Sequence, residues 1–159
     1  MTSLNGRETA IGEYRQLMYL LDTNILRHFG EGHSSLQHHL QQVPWSEIAL
    51  PSIVVAEVLR GWCDFALKAI PSQAPFAHRQ LMETQQLLSR FNVVIFDERC
   101  ANAMEELQRK YKPHKQHADM MIAAVAIAGN HVVVTRNQKH FAKFLPGAQL
   151  ANWIDEKPA

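Results

Sequence analysis

The chain has 159 residues, 47% of them hydrophobic, with seven Gly and seven Pro; this suits one domain with an ordinary core and excludes a collagen-like or linker-rich polymer. Sixteen Lys and Arg against fifteen Asp and Glu leave a net charge of +1, so no overall field marks the molecule as a binder of nucleic acid or membrane. Two widely spaced cysteines, Cys63 and Cys100, exclude a disulfide framework and a four-thiolate zinc site and fit a reducing, cytoplasmic setting.

Residues 1–16 are polar and aperiodic, which predicts a flexible N-terminal leader before a single domain over 17–155 and a short tail at 156–159. They contain no apolar stretch of the kind a signal peptide needs, and the most apolar run, 120–129, is too short to cross a bilayer. A soluble protein with no membrane association is expected. At residue 18 the text changes to MYLLDTNIL, a short apolar run closed by an acid, the pattern of a buried strand feeding a helix. SSLQHHLQQV (34–43) then reads as a helix, EIAL (47–50) as a strand and 52–70 and 75–91 as two long helices. NVVIF (92–96) is the next strand, ERCANAMEELQRKY (98–111) a helix that Pro113 should end, and ADMMIAAVAIAGN (118–130) a helix apolar almost all round. HVVVT (131–135) and, weakly, AQLAN (148–152) complete the strands. Uniformly apolar strands separated by helices argue for a mostly parallel sheet covered on both faces, an α/β fold.

In such a sheet the functional crevice lies beyond the carboxyl ends of the strands. No phosphate loop of either common kind occurs there. Acids do: Asp22 closes the first strand and Asp119 opens the apolar helix. Either alone is simplest as a helix cap. Glu57 interrupts the aliphatic run SIVVAEVL, with an ordinary ion pair to Arg60, three residues on, as the alternative use of its charge. Three carboxylates at the borders of apolar elements suggest one shared site. Such a cluster repels itself unless it holds a cation, and hard oxygen ligands favour Mg²⁺ or Mn²⁺.

Six segments, YLLDTNIL (19–26), PSIVVAEVLRG (51–61), FDERCANAMEEL (96–107), HADMMIAAVAIAG (117–129), VVVTRNQKHF (132–141) and ANWI (151–154), together resemble the PIN-domain family, in particular the VapC-like toxins of bacterial toxin–antitoxin pairs. The resemblance implies a three-layer α/β/α sandwich around a short parallel sheet. It also implies a metal-dependent ribonuclease that leaves a 5′-phosphate and a 3′-hydroxyl, a cognate antitoxin partner and a homodimer. Residue by residue, it assigns Asp22, Glu57 and Asp119 to the metal site and Asn137 to its completion. His140 stands where the family commonly has an acid, a departure; three residues after Asn137, it shares that residue's face if the segment is a helical turn, and is a further candidate ligand. Asp97 falls in a matching segment without a metal role and reads as an N-cap.

The local charge is uneven. Between residues 109 and 143 seven Lys or Arg face the single acid Asp119, a balance of +6, leaving −5 on the rest. Arg136, Lys139 and Lys143 follow a strand that should end at the acids, and Lys112 and Lys115 lie in the cluster RKYKPHK; these five are the candidate RNA contacts. Thr23 and Thr135, beside the acids, are candidates to hydrogen-bond a phosphate or act simply as turn residues. A catalytically silent RNA-binding protein and a housekeeping RNA-processing nuclease without an antitoxin stay open as alternatives.

Overall fold

The computed structural model describes residues 11–12, 16–111 and 117–156. Six strands, β1 (Ile11–Gly12), β2 (Tyr19–Leu21), β3 (Ile48–Pro51), β4 (Asn92–Val94), β5 (Val132–Val134) and β6 (Leu150–Ala151), alternate with seven helices. The helices are α1 (Thr23–Gly30), α2 (Ser34–Gln42), α3 (Ser52–Lys68), α4 (Ala74–Leu88), α5 (Glu98–Lys110), α6 (His117–Gly129) and α7 (Gln138–Phe141). The strands form one sheet in the order β1-β4-β3-β2-β5-β6, every pair parallel.

Successive residues of a strand face opposite sides of a sheet. Leu20 and Leu21 in β2, and Ile48, Ala49 and Leu50 in β3, have no exposed surface, so both faces are covered and the α/β sandwich expected from the apolar strands is present. The helices that cover them form as their sequences require. Asp97 accepts a hydrogen bond from the Cys100 N–H at 3.0 Å and caps α5. In α6, Met120, Ile122 and Ala123 through Ala126 are buried, as a helix uncharged after Asp119 demands.

The turn out of α6 is set by two residues. The N–H of His131 bonds the Ala126 carbonyl at 2.8 Å and that of Asn130 the Ile127 carbonyl at 3.3 Å, with Asn130 at φ 52°; this is a Schellman closure with Asn in the left-handed position. A Cβ on Gly129 would stand 2.0 Å from Nε2 of His131. That imidazole is buried, and its Nδ1 accepts the N–H of Met18 at 3.0 Å, so it cannot swing aside without losing the bond that enters β2.

Three boundaries differ from the sequence expectation. Within the segment expected to be a leader, Ile11–Gly12 pairs with Val93 and Val94 as an edge strand; residues 1–10, 13–15 and 157–159 lie outside the described residues. Glu47 belongs to a 3₁₀ turn, Trp45–Glu47, so β3 begins at Ile48. The weak last strand shrinks to two residues behind a second 3₁₀ turn, Gly147–Gln149. Among the described residues no helix is long and apolar enough to cross a membrane.

Candidate functional site

The chain leaves β2 toward β3 and β4 on one side and returns to β5 and β6 on the other. That reversal is a topological switch point beyond the carboxyl ends of β2 and β5, the place where open parallel sheets form their functional crevice. Asp22 is the first residue past β2. Its N–H bonds the Val134 carbonyl at 3.2 Å, tying it to the end of β5, and one carboxylate oxygen accepts the Ile25 N–H at 2.9 Å. The carboxylate is therefore engaged as the helix cap while standing at the carboxyl ends of β2 and β5. Asp22 is only 6% exposed. Burial pushes its pKa above the ordinary aspartate value; hydrogen bonds from Thr135 and Ile25 oppose the shift, and the charge of Asp119 adds to it.

Asp119 lies in the first turn of α6 and is also raised by burial, against the pull of His140 and Lys143. His140 Nδ1 is 3.5 Å from Asp119 Oδ2. Residues 138–141 do form a helical turn, so His140 reaches the acids as its spacing allowed, though its contact is with a carboxylate. Asn137 precedes that turn, exposed, with its side chain uncommitted to capping; its N–H bonds Thr135 Oγ1 at 3.0 Å.

Glu57, in the second turn of α3, accepts a hydrogen bond from Thr23 Oγ1 at 3.2 Å. Among the described residues it makes no ion pair with Arg60. Its link to Asp22 runs through the adjacent Thr23. Both threonines thus serve as scaffold: Thr23 holds Glu57, and Thr135, fully buried, joins Asp22 to the backbone of Asn137. A cavity of ≈ 590 Å³ between α1, α3 and α4 opens beside Thr23 and Glu57 and is walled by Trp62, Phe65 and Leu87. A cleft of ≈ 630 Å³ at the start of α5 is lined by Asp97 and Arg99, but there the acid is engaged as a cap and faces Arg99 at 3.5 Å.

The basic candidates separate. Arg136 donates from Nε to Asp155 Oδ2 at 3.1 Å, Lys143 lies 4.9 Å from the Phe144 ring centroid while its charge acts on Asp119, and Lys139 is exposed. Lys112 and Lys115 lie outside the described residues. Arg109 pairs with Glu106. The Arg136–Asp155 pairing spans 19 residues and had no local sequence signal. Several histidines have structural partners: His131 in the core, His39 stacked on Trp153 at 5.5 Å, and His78 bonded to the Ala66 carbonyl.

Among the described residues no three His, Cys, Asp or Glu side chains are grouped to hold a metal ion. Asp22 and Asp119 nonetheless meet the needs of Mg²⁺, which keeps several waters and is bound through one or two carboxylates. Two acids whose pKa burial raises, with the charge of Asp119 adding to the shift of Asp22, are a donor set that a cation would relieve.

The family model for the PIN domain matches residues 19–144. A relative named Ribonuclease VapC2, from Rickettsia felis, is 30% identical over 142 residues, covering 86% of this chain and 98% of its own length. DNA-bound VapBC from Salmonella typhimurium contains a chain similar to this one at TM-score 0.66 and 28% identity, over 87% of this chain and 99% of that one. VapBC2 from Rickettsia felis, bound to a DNA fragment from their promoter, gives TM-score 0.60 and 27% identity, with 86% and 99% covered.

Proposed function

The chain belongs to the PIN-domain family, and from that premise we propose that it is a divalent-metal-dependent ribonuclease, the toxin of a toxin–antitoxin pair. The observation that carries the proposal is the desolvated pair Asp22 and Asp119 at the reversal point of the sheet. The near-complete coverage of a ribonuclease VapC relative supports the reaction class, and similarity to chains from VapBC complexes supports an antitoxin partner.

Asp22 and Asp119 would hold Mg²⁺ or Mn²⁺, with Glu57 and Asn137 completing an oxygen-rich set through water. When bound, the ion would supply Lewis acidity, lowering the pKa of water and stabilising charge on the phosphodiester. The chain's own groups do the rest. Thr135 and the Ile25 N–H orient the Asp22 carboxylate, Thr23 orients Glu57, and Lys139, Lys143 and Arg136 attract the phosphate backbone.

A second reading rests on the Asp119–His140 contact, because a histidine on that carboxylate suits an RNA-binding protein that has lost turnover. Single-stranded RNA incubated with the protein in Mn²⁺, in Mg²⁺ and in EDTA separates the two. Cleavage to 5′-phosphate ends in metal and none in EDTA is the expected result. RNA binding with no cleavage in either metal would select the silent protein.

A further inference from the structure

Arg136 follows Thr135, which bonds Asp22, and precedes Asn137, whose N–H bonds the Thr135 hydroxyl at the head of α7. Among the described residues its guanidinium is engaged on one edge only. Nε donates to Asp155 Oδ2 at 3.1 Å, and among the described residues Asp155 is the one carboxylate paired with it. The same oxygen accepts from Asn152 Nδ2 at 3.0 Å, while Asn152 Oδ1 takes the N–H groups of Ile154 and Asp155, each at 3.1 Å.

This turn is anchored well beyond its own hydrogen bonds. β6, which leads into it, pairs with β5, and the Thr135 N–H bonds the Ala151 carbonyl at 2.9 Å. Trp153 and Ile154 are buried, Ser35 Oγ donates to the Trp153 carbonyl at 3.0 Å, and His39 stacks on the Trp153 ring. Asp155 is thus delivered to the end of β5 on a rigid mount. The hydrogen bond from Asn152, then Arg136 and His33, lower its pKa against an opposing effect of desolvation.

A surface ion pair of this exposure adds little to folding stability, whereas a guanidinium held by Nε keeps its two terminal nitrogens, the fork that matches a phosphate, for another partner. We infer that Asp155 is a positioning residue: it fixes Arg136 so that the free end of the guanidinium meets a backbone phosphate of the RNA strand lying across the crevice. This rests on the ribonuclease reading.

The test uses the full chain and a short single-stranded RNA of mixed sequence, with binding measured in EDTA over a salt series and steady-state cleavage measured in Mn²⁺. Arg136→Ala should raise Kd up to about fivefold and make the salt slope shallower by about 0.7, one phosphate contact. Asp155→Ala should reproduce both changes and raise KM with kcat kept, although it removes a negative charge that would otherwise repel RNA. Asp155→Asn, which keeps an oxygen for Nε, should recover affinity, and the Arg136→Ala, Asp155→Ala double variant should be no weaker than Arg136→Ala alone. If Asp155→Ala binds as tightly as the parent or tighter while Arg136→Ala binds weakly, Asp155 is only a counter-charge and the inference falls alone. If the parent neither binds nor cuts RNA, the ribonuclease reading falls with it.

Discussion

Asp22 carries two loads that substitution can separate. Its carboxylate caps α1 through the Ile25 N–H at 2.9 Å and receives the fully buried Thr135 hydroxyl; it also repels Asp119. Asp22→Asn keeps an acceptor for the cap and discards the charge, whereas Asp22→Ala discards both. Losing the cap costs about 1 kcal/mol, and stranding a buried hydroxyl costs about 1–3 kcal/mol more. For a chain of this size the alanine variant should melt about 5–15 °C below the parent in EDTA. The asparagine variant should melt at or above the parent there, because burial and a like charge oppose ionisation of Asp22 in the parent. Mn²⁺ at a hundred times Kd should then stabilise the parent by about 2.7 kcal/mol, about 5–11 °C, and neither variant. Cleavage should fall by at least about 100-fold in both, the order seen when one electrostatic contributor to a transition state is removed. Scanning calorimetry with and without Mn²⁺, alongside an RNA cleavage assay, measures all four quantities. An asparagine variant that cuts RNA and gains stability from Mn²⁺ like the parent would refute the site, leaving Asp22 as a helix cap.

Further outcomes follow from other contacts. His140→Asp should tighten Mg²⁺ binding in a calorimetric titration by adding a hard oxygen beside Asp119, while His140→Ala leaves Mg²⁺ binding without that gain; equal affinities in both variants would place His140 outside the metal's reach. Gly129→Ala should destabilise by about 1–3 kcal/mol in chemical unfolding, because its Cβ meets the anchored His131 imidazole at 2.0 Å; an unchanged midpoint would mean that the ring moves freely. The buried His131 has a pKa below the ordinary 6.5, so between the two values the unfolded chain binds more protons than the folded one. Its contribution is complete above about pH 6.5 and is lost as pH falls toward the lowered folded value. His131→Gln should flatten the decline of Tm over that window, and an unaltered pH slope would remove His131 as its source. Asp22 and Asp119, with raised pKa values, act oppositely in EDTA: stability rises as pH falls through their folded values toward 3.8. Asp119→Asn should remove part of that rise.

The sequence by itself determined the α/β class, the main helices, the cap at Asp97 and the place of Asp22 and Asp119 at the borders of apolar elements. These rest on local rules: a strand or helix declares its buried face within a few residues, and an acid at the border of an apolar run is visible without its neighbours. The tertiary structure decided which distant groups meet. Ile11–Gly12 became a strand because β4 offered an open edge, although nothing in a polar, aperiodic leader signals pairing. Thr135 is an internal strut because β5 lies beside β2, which puts its hydroxyl against Asp22. Glu57 meets the crevice through Thr23, 34 residues away, and Arg136 finds Asp155 only because β6 closes against β5. Charge and periodicity are written along the chain, but side-chain partnership depends on strand order and register, which are settled by burial summed over the whole fold.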